Sequence, residues 1–286
     1  MQPSIGGSRF HCFTCDNGTG ASLLTTLEMY VDPNNPQHRR YNLDKAREIL
    51  SEGSLNVTSL ADYDDRSLTK EFYEWSDWAL DRFPAATNSK RAMAYLTGAK
   101  GSKFLGTQSK CRGLTIEEVV YYNFRYDAHA DRVVIPFYDA FMRLAGARGR
   151  TLTDKSFHDY TFHDHNNTDL TWCNEQVFQE GEYVVMVEGQ FDMIMASRVY
   201  PQTIANLTAK VTKRKMEKLL DTEGVILMLD NDQTGQEATE RVAEFLAKHN
   251  HRVGIAQYSA HDPDEATPQE IKRALEPFIH PSKFLI

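Results

Sequence analysis

Two short acidic clusters carry the chain's most evident chemistry. Glu188-Gly189, with Asp192 just beyond, follows the apolar run Tyr183-Val184-Val185-Met186-Val187. Asp230-Asn231-Asp232, with Gly235 beyond, follows Val225-Ile226-Leu227-Met228-Leu229. Carboxylates crowded on one rim repel one another unless cations sit among them. Magnesium is the hard oxygen-seeking ion for such a rim, and it is commonly shared with substrate phosphates. A Glu with an Asp-x-Asp can hold one or two such ions for in-line attack at phosphorus, where metals stabilise the attacking and leaving oxygens. Asp230 and Asp232 share one side if the extended backbone continues past the apolar run. Gly189 lets backbone or phosphate approach closely. Each carboxylate also has an ordinary use: Asp232 as the cap of a helix starting near Gly235, and Asp192 in a helical first turn. His261-Asp262-Pro263-Asp264-Glu265 extends the acidic rim or forms a solvated loop.

The apolar runs position these groups. Five consecutive β-formers suit a strand buried on both faces, hence a parallel sheet, whose ligands gather beyond the strands' carboxyl ends. From 181 onward strand and helix alternate: strand 183–187, helix about 191–199, short strand near 203–207, helix about 212–220, strand 225–229, helix about 235–249 and strand 253–258. That order implies right-handed crossovers with helices on both sheet faces, an α/β domain over 181–286. Before it, Arg132 to Phe137 and Met142 to Arg150 read as two strands joined by a turn, an Arg-rich hairpin in a mixed α+β subdomain over 116–180. Residues 21–115 read as mostly helical, with Asn42 capping Leu43 to Leu50 and aromatics at helical spacing over Glu71 to Phe83. Residues 1–20 are Gly-rich and contain Cys12 and Cys15.

Composition narrows the partners. The chain has 286 residues and a net charge of −8, which argues against coating nucleic acid non-specifically while leaving room for a local basic groove. No long apolar stretch and no basic-then-apolar leader is visible, so the expectation is a cytoplasmic protein with no membrane partner. Four cysteines are too few for a disulfide scaffold and agree with a reducing compartment. The basic run Lys210, Lys213, Arg214, Lys215 and Lys218 reads as a solvated helix face.

Taken together, these segments resemble the catalytic core of DnaG-type primases. Val187-Glu188-Gly189 with Asp192, Leu229-Asp230-Asn231-Asp232 with Gly235, and Asp262-Pro263-Asp264-Glu265 are similar to that family's Toprim domain. Arg132 to Asp139, then Arg143 and Gly146 to Arg150, resemble its Arg-rich hairpin. Cys111-Arg112-Gly113-Leu114-Thr115 with Glu117 resembles the Arg-Gly-Leu entry to the core, and Phe10 to Cys15 the second half of its zinc module. The ending Pro281 to Ile286 falls where the family's core ends, a brevity that looks like a phage or mobile-element protein.

The resemblance implies a primase that makes short RNA primers on single-stranded DNA. Glu188, Asp230 and Asp232 would be the catalytic and metal carboxylates, with Asp192, Asp262 and Asp264 as further metal residues. The ions would be Mg2+ or Mn2+, two in number. Arg132, Arg148, Arg150 and Lys155 would hold template or nucleotide, and a replicative helicase would act in trans. Departures from the pattern are Gln233 and Thr234 after Asp232, the segment near Thr208-Ala209 in place of a Gly-Thr step, and Lys155 in place of a clean Lys-Tyr element. Structural zinc needs four ligands, and Cys12 with Cys15 supplies one pair, so no stoichiometric Zn2+ is expected. A Toprim nuclease using the same metals, or a non-catalytic Toprim module binding nucleic acid or a helicase, are the alternatives.

Overall fold

The computed structural model describes residues 2–3, 10–11, 70–154, 156–178, 182–208 and 210–285. The chain divides into two compact units, 1–64 and 65–286. In the first, β1 (Gln2–Pro3) pairs antiparallel with β2 (Phe10–His11). Cys12, Cys15, the expected helix over 43–50 and Lys155 lie outside the described residues.

The second unit holds two four-stranded sheets. The antiparallel one has the order β3 (Arg125–Asp127), β4 (Arg132–Tyr138), β5 (Leu144–Thr151), β6 (Phe157–Tyr160). β4 and β5 form the expected Arg-rich hairpin, with Val133 opposite Arg150 and Ile135 opposite Arg148. Residues directly opposite on antiparallel strands share a face. Arg148 and Arg150 therefore lie on the face of Val133 and Ile135, whereas Arg132, two residues before Val134, lies on the other. Those faces feed different cores: Val133 and Ile135 join one, and Val134, Leu144, Ala147 and Tyr160 another. Gly149 makes room on the second face, because a Cβ there would lie 2.7 Å from the Tyr160 ring and 3.1 Å from Arg132 Cδ.

The parallel sheet has the order β10 (Val253–Ile255), β9 (Gly224–Leu227), β7 (Tyr183–Val187), β8 (Thr203–Ala205). Its strands alternate between two cores. Val185, Val187, Ile226 and Met228 pack with residues of α3 (Gln190–Ser197) and α6 (Pro268–Leu275). Val184, Met186, Val225 and Leu227 pack with Met216 and Leu219 of α4 (Lys213–Leu219) and Val242, Phe245 and Leu246 of α5 (Gln233–Lys248). Burial on both faces is why these strands read as continuous apolar runs.

Ahead of the sheets stand α1 (Lys90–Thr97) and α2 (Ile116–Tyr121). Thr115 and Glu118 close a capping box at the start of α2, and Arg198 just after α3 clamps the same Glu118 with two 2.6 Å bonds. This fixes the helical region to the parallel sheet. The helix expected over Glu71–Phe83 does not form; only a short 3-10 turn, Asp77–Leu80, is present. Trp75 instead donates its backbone N–H to the Leu144 carbonyl at 2.8 Å and buries its ring in the core behind the hairpin. Among the described residues no helix is long and apolar enough to cross a membrane.

Candidate active site

A cavity of about 310 Å³ lies where the carboxyl ends of β7 and β9 face the arginine-bearing side of the hairpin. Glu188, Asp192, Asp230, Asp262 and Asp264 line it from one side, and Arg112, Arg148 and Arg150 from the other.

The acidic wall is built from three loops laced together by backbone bonds. Asp192, at the third position of α3, accepts from the Gly189 N–H at 2.9 Å and from the Asp264 N–H at 3.0 Å. Asn231 donates its amide to the carbonyls of Tyr258 and Ala260, and the Tyr258 hydroxyl donates to the Leu229 carbonyl at 2.6 Å. Glu188 Oε1 accepts from the Asp230 N–H at 3.3 Å. Gly235 permits this closeness, since a Cβ there would lie 2.1 Å from the Asp230 carbonyl oxygen and 2.8 Å from Glu188 Oε1.

Electrostatics set two of these carboxylates apart. Burial, then the charges of Asp192, Glu188, Asp262 and Asp232, push Asp230 up to about 8. Burial, with Asp262 and Asp264 beside it, pushes Asp192 up to about 7. Glu188 and Asp262 also rise, each mainly through burial. Asp230 Oδ1 is buried with no hydrogen-bond partner. An orphaned buried oxygen amid mutually repelling carboxylates fits a divalent cation.

Two further acids of the rim also make structural bonds. β9 ends at Leu227 and the chain bends at Asn231 and Asp232, while the Asp232 charge still acts on Asp230. Asp232 is exposed and caps α5, accepting from the Gly235 N–H at 2.8 Å. Asp264 pairs with Arg112 at 2.6 Å. Among the described residues no group of three His, Cys, Asp or Glu side chains is gathered to hold a metal ion. A seat of one or two carboxylates is nevertheless what magnesium takes when it keeps waters and shares substrate phosphates. Glu188 and Asp230 are the carboxylates that could offer such a seat.

On the basic wall two arginines are paired with carboxylates and the third is not. Arg148 grips Asp159 on β6 with two hydrogen bonds, one of 2.7 Å. Arg150 lies 4.4 Å over the half-exposed Phe157 ring, and its Nε is buried without a partner. Burial and the neighbouring Arg112 lower its pKa. Arg112 donates to the Tyr95 hydroxyl at 2.9 Å and lies 4.2 Å over the Phe191 ring. Arg132 is not at the cavity, because its guanidinium lies with Tyr160 on the opposite sheet face.

Sequence reasoning gave Arg112 no role in the site. It reaches the cavity because the turn before α2 brings it beside Tyr95 of α1 and Asp264. Its signal in the sequence was the Arg112-Gly113-Leu114 step, whose Gly113 takes a φ of 64° in a tight turn.

Residues 185–267 match the family described as Toprim-like. A DNA primase domain from Pseudomonas aeruginosa is similar with a TM-score of 0.55 at 20% identity, over 69% of this chain and 76% of that one. The zinc-binding and RNA polymerase domains of the Aquifex aeolicus primase align with a TM-score of 0.46 at 22% identity, over 56% of this chain and 46% of theirs. The primase fragment of the bacteriophage T7 primase-helicase protein gives 0.46 at 19% identity, over 58% of this chain and 71% of that one. This chain thus spans about half the length of the Aquifex relative. No curated protein shows a sequence match to it. The segment bearing the acidic wall is a Toprim-like domain. With the antiparallel sheet in front of it, the chain has the fold of DnaG-type primase catalytic cores.

Proposed function

We propose that this chain is the catalytic core of a DNA primase, joining ribonucleotides into short RNA primers on single-stranded DNA. The observation that carries the reading is the single cavity with Glu188, Asp192 and Asp230 on one wall and Arg112, Arg148 and Arg150 on the other. A carboxylate wall facing an arginine wall across that volume suits a nucleoside triphosphate, whose phosphates need cations on both sides.

Glu188 and Asp230 would hold magnesium, which supplies charge neutralisation at the attacked α-phosphate and the departing pyrophosphate. Asp192 holds the two acidic loops in register through its backbone bonds. Arg150 and Arg148 would take template or triphosphate oxygens, a task their planar forks suit. Phe157 beside Arg150 offers a ring on which a base can stack. In this reading residues 116–180 supply Arg148 and Arg150 of the basic wall, Arg112 joins it from the segment before, and 181–286 supply the acidic wall, with a replicative helicase acting in trans.

The test incubates the chain with labelled ribonucleotides, single-stranded DNA and Mg2+ or Mn2+. New short RNA is the expected product. Shortened DNA without RNA would instead identify a Toprim nuclease, and neither product would identify a binding module.

A further inference from the structure

Lys215 belongs to the basic run expected to form a solvated face, yet it is fully buried. Its Nζ donates to the Thr168 carbonyl at 3.1 Å and to the Asn206 carbonyl, and lies 4.6 Å from the centre of the Trp172 ring. A buried amine persists only where its donors are satisfied. The two carbonyls come from separate parts of the fold. Asn206 opens the loop after β8, whose Leu207 and Thr208 line the cavity. Thr168 follows Asn167, which donates to the Ala145 carbonyl on β5 at 2.6 Å. One side chain therefore ties a cavity loop to the segment that leans on the arginine-bearing sheet.

The loop needs such a tie. Leu207 has a φ of 69°, which a branched side chain rarely adopts and which persists only where the surroundings enforce it. Its N–H donates to the Glu188 carbonyl at 3.3 Å, so movement of the loop reaches the candidate metal carboxylate. We propose that Lys215 is a positioning residue, pinning residues 206–208 so that Leu207 and Thr208 shape the nucleotide side of the cavity. Burial, with Lys218 and Arg148 nearby and against Glu175 and Asp169, draws its pKa down to about 7. Even the neutral amine keeps two N–H donors for the two carbonyls, so the tie outlasts loss of the proton.

The functional half of this inference rests on the primase reading, and the test separates the two. Lys215→Met and Lys215→Arg are compared with the wild-type chain by amide hydrogen exchange and by primer synthesis. Lys215→Met is expected to speed exchange at 206–208 about tenfold while β7 keeps its protection, since only the local tie is lost. It is also expected to raise KM for the ribonucleotide about tenfold with kcat within about twofold, and Lys215→Arg, which keeps donors, to fall between. Unchanged exchange at 206–208, exchange raised equally along the whole parallel sheet, or an unchanged KM overturns the assignment. If the wild-type chain makes no RNA, the primase reading fails, and exchange still decides whether the pin exists. Should Lys215→Met not fold, Lys215→Gln is read by the same criteria.

Discussion

The two walls of the cavity are built on opposite electrostatic plans. The acidic wall concentrates like charges: Asp230 and Asp192 are pushed up to about 8 and about 7, and Asp230 Oδ1 is buried without a partner. The basic wall spends its charges locally, Arg148 on Asp159 and Arg112 on Asp264 and Tyr95. The first wall therefore lacks counter-charge until a cation arrives, whereas on the second Arg112 and Arg148 are already paired and only Arg150 lacks a carboxylate partner. Removing charge from the first should relieve the fold while ending the chemistry. On the second wall, the same kind of change should loosen the fold.

The largest effect is expected at the acidic wall. Asp230→Asn or Glu188→Gln should lower primer synthesis by about a thousandfold or more, with an unchanged or raised Tm in metal-free buffer at pH 8. A lowered Tm would show that these carboxylates are structural partners and would collapse the contrast. On the paired wall, Arg112→Ala should destabilise the fold by about 3 kcal/mol, because it leaves the largely buried Asp264 with only Lys100, 3.8 Å away, as counter-charge. Adding Asp264→Asn should recover much of that loss in denaturant unfolding. Arg150→Ala should reduce the slope of log binding constant against log salt for single-stranded DNA by about one.

A pH series sharpens the same comparison. Asp230 and Asp192 have folded-state values raised above the ordinary 3.8, so the folded chain holds their protons more tightly than the unfolded one. Stability without metal should thus fall as pH rises from 3.8 through about 7 and about 8, and Asp230→Asn should flatten that slope. Saturating Mg2+ should flatten it as well, since a bound cation favours the ionised forms. Melting temperatures between pH 5 and 9 that do not depend on metal would contradict this. The smallest effect is expected at Arg132→Ala, which should leave KM within about twofold because that side chain lies off the cavity. Its cost should appear in packing against Tyr160.

How much of this was legible in the sequence follows from which forces act locally. The strands β7 and β9 were legible because burial on both faces writes an unbroken apolar run. The hairpin was legible too, but not which of its arginines meet the acids. That depends on the register placing Val133 opposite Arg150, which parts Arg132 from the other two. Asp232 could be read as metal ligand or helix cap; the structure shows the cap through Oδ1, and the charge of Asp232 still acts on Asp230. Aromatics at helical spacing over 71–83 misled, because Trp75 and Phe83 are buried by the neighbouring sheet rather than along one face of a helix. A basic run likewise cannot reveal that Lys215 turns inward, since its acceptors are backbone carbonyls with no side-chain signature.

The most direct test of the acidic wall as a phosphoryl-transfer centre is a side-by-side measurement of ribonucleotide incorporation by the wild-type chain and Asp230→Asn. Both are given the same single-stranded DNA and Mg2+, with DNA binding measured in parallel. The account predicts short RNA from the wild type and none from Asp230→Asn, which binds the DNA as tightly. RNA synthesis by Asp230→Asn at near wild-type rate would contradict it.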